Sequence, residues 1–155
     1  MDPDPVANVK QALTAAGARD TVTVFDAQVP TAAAAAAALG CELAAITNSL
    51  VFDLAGAPLL ILASGAAKVD VRKVAAQLGT GKIRQATPDF VLAHTGQEVG
   101  GVAPVGHPEK IRTLLDTSLA AHPVLWAGAG DHKSMFSISY EELHRITGAE
   151  EMAVR

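Results

Sequence analysis

Ile46-Thr47-Asn48-Ser49-Leu50-Val51-Phe52-Asp53-Leu54-Ala55-Gly56-Ala57-Pro58-Leu59-Leu60-Ile61-Leu62-Ala63 is the stretch on which the reading of the fold turns. Its two halves, Ile46 to Asp53 and Pro58 to Ala63, are rich in β-branched and large apolar residues. They flank the turn-like Leu54-Ala55-Gly56-Ala57. That arrangement predicts a β-hairpin. In a strand, Ile46, Asn48, Leu50 and Phe52 share one side, so an amide sits on an otherwise apolar face. A buried amide without partners is costly. Asn48 is therefore expected either to tie a neighbouring loop or to reach into a pocket.

Outward from the hairpin, helix signals alternate with strand signals. Asp4 with Pro5 opens a helix whose face carries Val6, Val9, Leu13 and Ala16, with Gly17 after it. Thr21 to Phe25 reads as a short strand. Thr31 caps the alanine run Ala32 to Ala38, and Gly40 stops it. Asp70 caps a helix carrying Val71, Val74, Ala75 and Leu78, with Gly79 behind. Lys82 to Gln85 fits a short strand, and Thr87-Pro88 opens a helix through His94. Ile111 to Leu119 fits a helix or, over Ile111 to Leu115, a strand. Val124 to Ala127 and Met135 to Ser139 read as strands. Ser139 and Glu142 have capping-box spacing for a last helix ended by Gly148. The expected fold class is mixed α/β (α+β), one sheet flanked by helices in a single domain over 1–155. The core spans about 21–148, with an N-terminal helix within 1–20 and a loose tail over 149–155.

Composition narrows the function classes. The 155 residues are 50% hydrophobic and 18% charged, with a net charge of −4. A chain that grips a long nucleic acid is usually basic, so DNA is not an expected partner and any RNA contact should be local. No apolar run approaches the length needed to cross a bilayer. The acidic opening Met1-Asp2-Pro3-Asp4-Pro5 lacks a basic leader region. With the lone Cys41, this points to a reducing, cytoplasmic setting. Cys41 reads as a buried structural thiol.

Site candidates come from few places. Gly100-Gly101-Val102-Ala103-Pro104 must be a loop, and such a loop can present main-chain amides to a carbonyl oxygen. An ordinary turn has the same composition. Of the five histidines, His107 follows this loop and His132 lies in Gly128-Ala129-Gly130-Asp131-His132-Lys133. No histidine or cysteine spacing suits a metal. Gly79-Thr80-Gly81-Lys82 lacks the spacing of a phosphate loop, Gly128-x-Gly130 that of a dinucleotide site, and no G-x-S-x-G elbow is present. The pair Asp131-His132 is a possible dyad only by adjacency.

These segments, taken in order, resemble a known family. Leu39-Gly40-Cys41 with Ile46-Thr47-Asn48-Ser49-Leu50-Val51-Phe52 is similar to the "ALG…I-x-K-S-L-V-F" stretch of the YbaK/prolyl-tRNA synthetase editing family. Thr95-Gly96-x-x-Val99-Gly100-Gly101-Val102-Ala103-Pro104-Val105-Gly106-His107 resembles its "TG-x-x-x-G-G-V-x-P-x-G" run. Leu59 to Ala63 with Val69-Asp70, and Phe136-x-x-Ser139-x-x-Glu142-Leu143, also fit. The likeness covers roughly residues 28 to 148. It implies a curved mixed sheet flanked by helices, without metal or cofactor. It also implies hydrolysis of the ester between an amino acid and the terminal adenosine of tRNA.

The implied partner is the 3′ end of an aminoacyl-tRNA, with a synthetase as a further one. The resemblance implies Asn48 and the loop Gly100 to Pro104 as the site. The candidates are then Asn48, Gly100, Gly101 and Pro104 for catalysis and Ser49, Val102 and Ala103 around the substrate, with His107 and His132 added from their places in the glycine-rich loops. Many members carry lysine at the position of Asn48. Asparagine keeps a hydrogen-bond donor but loses charge and reach. Two other classes therefore stay open: a domain that binds aminoacyl-tRNA or a nucleotide without hydrolysis, and a module that docks on a synthetase.

Overall fold

The computed structural model describes residues 4–29 and 31–155. The opening Met1 to Pro3, on which the expectation about a leader partly rests, lies outside them. Five α-helices and an eight-stranded mixed sheet are formed by the described residues. The helices are α1 (Pro5–Ala15), α2 (Ala32–Leu39), α3 (Val71–Leu78), α4 (Pro88–Thr95) and α5 (Tyr140–Thr147). The strands are β1 (Thr23–Val24), β2 (Ile46–Leu54), β3 (Ala57–Ser64), β4 (Ile83–Gln85), β5 (Arg112–Asp116), β6 (Leu125–Gly128), β7 (Ser134–Ile138) and β8 (Glu150–Met152).

Local chemistry sets the helix ends. The side chains of Asp4, Thr31, Asp70, Thr87 and Ser139 each accept a main-chain N–H of their helix's first turn. This satisfies a donor that no helical carbonyl can reach. Gly40, Gly79, Gly96 and Gly148 close α2 to α5 in the left-handed conformation. The expected capping box is only half formed. Ser139 Oγ accepts from Glu142 N at 3.2 Å, but the Glu142 carboxylate turns outward to Arg145.

β2 and β3 form the hairpin. Leu54 pairs with Ala57 across a two-residue turn. Ala55 (φ 53°) and Gly56 (φ 91°) are both left-handed, as a type I′ turn requires. Asp53 Oδ1 braces it by accepting from Gly56 N at 2.7 Å. β3 then pairs in parallel with β5, and β5 with β8. Leu59 to Ala63 are fully buried because both faces of β3 are covered. Leu60, Leu62 and Leu115 pack towards Leu119, Tyr140 and Leu143. Leu59, Ile61 and Leu114 pack towards Val74 of α3 on the other face. α1 covers Ala127 and Phe136 of the former face. α2 covers Ile46 and Met135 of the latter.

Three segments differ from the sequence reading. The strand expected over Thr21 to Phe25 shrinks to Thr23–Val24, and both of its residues are exposed. The ambiguous Ile111 to Leu119 divides into β5 and a 3₁₀ turn over Thr117–Ala121. The break falls at Asp116, buried with Oδ1 accepting from Ser118 N and Oδ2 from Ser64 N. The tail is not loose. Residues Glu150–Met152 extend the sheet, and Val154 is fully buried against the α3 side. Tyr140 OH donates to Glu151 Oε2 at 2.6 Å, and burial together with that bond pushes the phenol well above its ordinary pKa. The short polar run gave no periodic signal because its order comes from pairing with β5.

Val154→Ala removes two buried methyl groups and should destabilise the fold by about 2 kcal/mol. Val24→Ala, at a residue 64% exposed, should stay within about 0.5 kcal/mol. Urea unfolding of the two variants checks this, and equal midpoints would show the tail to be dispensable.

Candidate active site

β2 is paired unevenly. β3 accompanies it from Thr47 to Leu54. On its other edge, β6 takes only Ile46 and Thr47, in parallel, and β4 takes only Phe52, Asp53 and Leu54. Among the described residues no strand covers Asn48 to Val51 on that edge. A cleft of about 580 Å³ opens there. Its lining takes in β2 from Ile46 to Phe52, Thr31, Ala32 and Ala35 at α2, Gln85 and Ala86 beyond β4, and Val99, Gly100, Val102, Gly128, Asp131 and Ser134.

The cleft therefore brings together Asn48, Ser49, Gly100 and Val102 from the residues that the sequence singled out. Asn48 is half-buried, and its amide hydrogen-bonds no described residue, so it ties no loop. Thr47, almost wholly buried, and Ser49 turn to the opposite face of β2. Both hydroxyls lack a described partner.

The glycine loop divides its main-chain donors. Gly101 N donates to Glu98 O at 2.9 Å. Ala103 N donates to Gln97 Oε1 at 2.7 Å. Pro104 has no N–H. These three amide positions are not free to meet a ligand, and Gly101, Ala103 and Pro104 do not line the cleft. The N–H groups of Gly100 and Val102 bond to no described residue, and both residues line it. Gly100 adopts φ 89°, a conformation that glycine reaches without strain.

The loop is held from three sides. Gln97 is only 1% exposed. Its carbonyl oxygen takes the Ala103 amide, and Thr95 Oγ1 bonds at 3.0 Å to both Gln97 N and Gln97 O. A Cβ on Gly101 would lie 2.9 Å from the Asp131 carbonyl carbon, and one on Gly128 would lie 2.9 Å from Val102 O. The chain at 100–102 thus lies directly against the β6–β7 turn.

His107 and His132 also serve this loop. His107 Nε2 donates to Ala103 O at 2.8 Å, since a carbonyl only accepts, and His132 Nε2 donates to Val99 O at 3.0 Å. Neither lines the main cleft. His132 borders a second hollow with Asp4, Glu98 and Lys133. The adjacent Asp131 and His132 form no dyad: Asp131 Oδ1 accepts from Lys133 N at 2.9 Å. Among the described residues, Asp131 is the one charged side chain in the cleft lining. Cys41, expected as a buried thiol, is only half-buried and is not among the cleft-lining residues; desolvation raises its thiol above the usual range, which disfavours the thiolate.

The residues that sequence reasoning missed are Gln97, Thr47, Asp131 as a lone carboxylate, and Ser134. Gln97 was hidden inside the resemblance as a variable position. A polar residue four places before the G-x-x-P turn Gly101 to Pro104 was the available signal.

Residues 26–146 match the model of the aminoacyl-tRNA editing domain. The chain belongs to the aminoacyl-tRNA editing domain family. The uncharacterized protein YwhH of Bacillus subtilis is 34% identical to this editing domain over 127 residues, covering 81% of this chain and 80% of YwhH. A crystal structure of a candidate trans-editing enzyme for prolyl tRNA synthetase matches with a TM-score of 0.90 at 34% identity, over 99% of this chain and 98% of that one. A second solved structure, of a protein described only as hypothetical, matches at TM-score 0.88 and 27% identity, over 95% of this chain and 98% of that one. The curved, helix-flanked sheet implied by the resemblance is thus the fold of this editing domain.

Burial holds His107 below its ordinary 6.5, against the opposing pull of its bond to Ala103 O. The unfolded chain binds a proton at this site more readily than the fold does. Its contribution to stability is therefore complete above the unfolded value and declines as pH falls below about 6.5. His107→Gln should flatten that part of the stability profile between pH 7.5 and 5.5. An unchanged slope would show that His107 is not desolvated in solution.

Proposed function

We propose that this editing domain hydrolyses the ester joining a small amino acid, such as alanine, serine, threonine or cysteine, to the terminal adenosine of tRNA. The observation that carries this reading is the meeting of two kinds of free group in one cleft. The unbonded N–H groups of Gly100 and Val102 come from the glycine loop, and the unbonded Asn48 amide comes from β2. Family membership supplies the substrate class.

An aminoacyl ester is already reactive, so no nucleophilic side chain is needed. The amides of Gly100 and Val102 hold the ester carbonyl and strengthen their hydrogen bonds as charge develops on its oxygen. A donor of this kind is worth roughly 10²–10³ in rate. Asn48 orients a water whose oxygen bonds to the carbonyl carbon while its proton passes to solvent. The carbon–oxygen bond to the ribose then breaks, and the ribose oxygen takes up a proton. Asp131 offers its carboxylate to the ammonium of the aminoacyl group. Cleft size limits the side chain, although a single methylene discriminates by only about 1–3 kcal/mol.

One feature favours a second reading, binding without turnover. The described cleft lining contains no lysine or arginine to hold the terminal phosphate. A panel of tRNAs charged with alanine, serine, threonine, cysteine and proline separates the two. Release of at least one amino acid above the spontaneous rate supports hydrolysis. Retention of bound, intact aminoacyl-tRNA supports the binding module.

Asn48→Ala should lower the single-turnover rate by on the order of 10². Gly128→Ala should act differently, because its Cβ must displace the Val102 carbonyl from a 2.9 Å approach. It should slow release while leaving the far-ultraviolet circular dichroism unchanged. Full activity in both variants would remove the basis for the mechanism.

A further inference from the structure

The uncovered edge of β2 has a polarity that the hydrolysis itself does not use. In a two-residue hairpin the pair flanking the turn, Leu54 and Ala57, exchanges both main-chain hydrogen bonds, and the pattern alternates from there. Leu54, Phe52, Leu50 and Asn48 therefore direct their N–H and C=O groups to β3. Asp53, Val51, Ser49 and Thr47 direct theirs away from it. Independent details agree. The outward Thr47 is where β6 attaches and the outward Asp53 is central to the β4 ladder. Pro58, which has no N–H, sits opposite Asp53, where β2 needs none. The N–H and C=O of Ser49 and the N–H of Val51 are outward peptide groups with no described strand, loop or side chain bonded to them, whereas the Val51 C=O belongs to the β4 ladder, where the Phe52–Gln85 pairing has it accept from Ala86 N.

Between those two residues the Ser49 C=O and the Val51 N–H lie side by side, an acceptor next to a donor. Adenine presents the complementary pair on one edge, the N6 amino donor beside the N1 acceptor. The four uncovered residues span about 13 Å at roughly 3.3 Å each, room enough for a purine in the plane of the sheet. Above and below that plane the walls are apolar. Phe52, Val71 and Ile83 lie on one face, and Ala86, Val91 and Val102 on the other. A flat base read along its pairing edge and held between apolar side chains is a common way of recognising an unstacked nucleotide. Among the described residues the lining also lacks the cations that would select a phosphate instead.

We infer that the gap in the sheet at Ser49 to Val51 is the seat of the adenine of the terminal adenosine, read by the Ser49 carbonyl and the Val51 amide. The assignment rests on the editing reading only for the identity of the nucleotide. The probes are 3′-deoxy-3′-alanylamido-adenosine, which cannot be hydrolysed at an ester, and its inosine counterpart, in which both pairing groups are reversed. Titration into the isotope-labelled protein should shift the Val51 amide resonance with the adenosine compound. The inosine compound should bind roughly tenfold or more weakly, since it leaves both peptide groups facing like partners. Equal binding of the two, or no shift at Val51 with the adenosine compound at millimolar concentration, would overturn the assignment. Equal hydrolysis of aminoacyl-tRNAs ending in adenosine and inosine would also overturn it while leaving the deacylase intact. Adenosine-selective binding with no hydrolysis of any charged tRNA would uphold it and sink the deacylase.

Discussion

A strand has two edges, and β2 satisfies one of them completely and the other only at its ends. β6 approaches from one end in parallel, β4 from the other end antiparallel, and the four residues between them are left without a strand. A gap of this kind inside a sheet would normally be closed, because unpaired peptide groups in an apolar interior are costly. Here the flanking elements stand back from it and leave a cleft. The continuous burial of β3 makes that tolerable. With Leu59 to Ala63 packed on both faces and β5 and β8 beyond, the hairpin is anchored from its other side.

The glycine loop depends on the same opening. It approaches the β6–β7 turn so closely that Gly101 and Gly128 have no room for a Cβ. Glu98 O and Gln97 Oε1 then accept from the amides of Gly101 and Ala103, while His107 donates to Ala103 O and His132 to Val99 O. This leaves the N–H groups of Gly100 and Val102, two residues that line the cleft, without a described partner, in a segment whose geometry is fixed before any ligand arrives. Preorganised donors of this kind act without reorganisation during the reaction. The histidines thus contribute by shaping the loop, a role consistent with the lowered basicity of His107.

Much of this was legible along the chain. The hairpin, the helix caps and the glycine terminators follow from rules that act within four residues, so local sequence reports them directly. Asn48 stood out because strand alternation puts it among apolar neighbours, and the structure leaves its amide unbonded in the cleft. The division of the loop amides was not legible. It depends on Gln97, Glu98 and two histidines, and nothing in Gly100-Gly101-Val102-Ala103-Pro104 shows which of its donors neighbours will claim. The order in residues 149–155 was hidden for a similar reason, since β8 exists through its pairing with a strand some 35 positions earlier.

The sequence alone determined the five helices, their ends and the β2–β3 hairpin, and it singled out Asn48 and the glycine loop as candidates, because backbone preference and capping are local. The tertiary structure alone decided that β6 and β4 share one edge of β2 without meeting. That arrangement depends on where distant segments pack, and it turns an asparagine, two main-chain donors and a bare strand edge into one cleft.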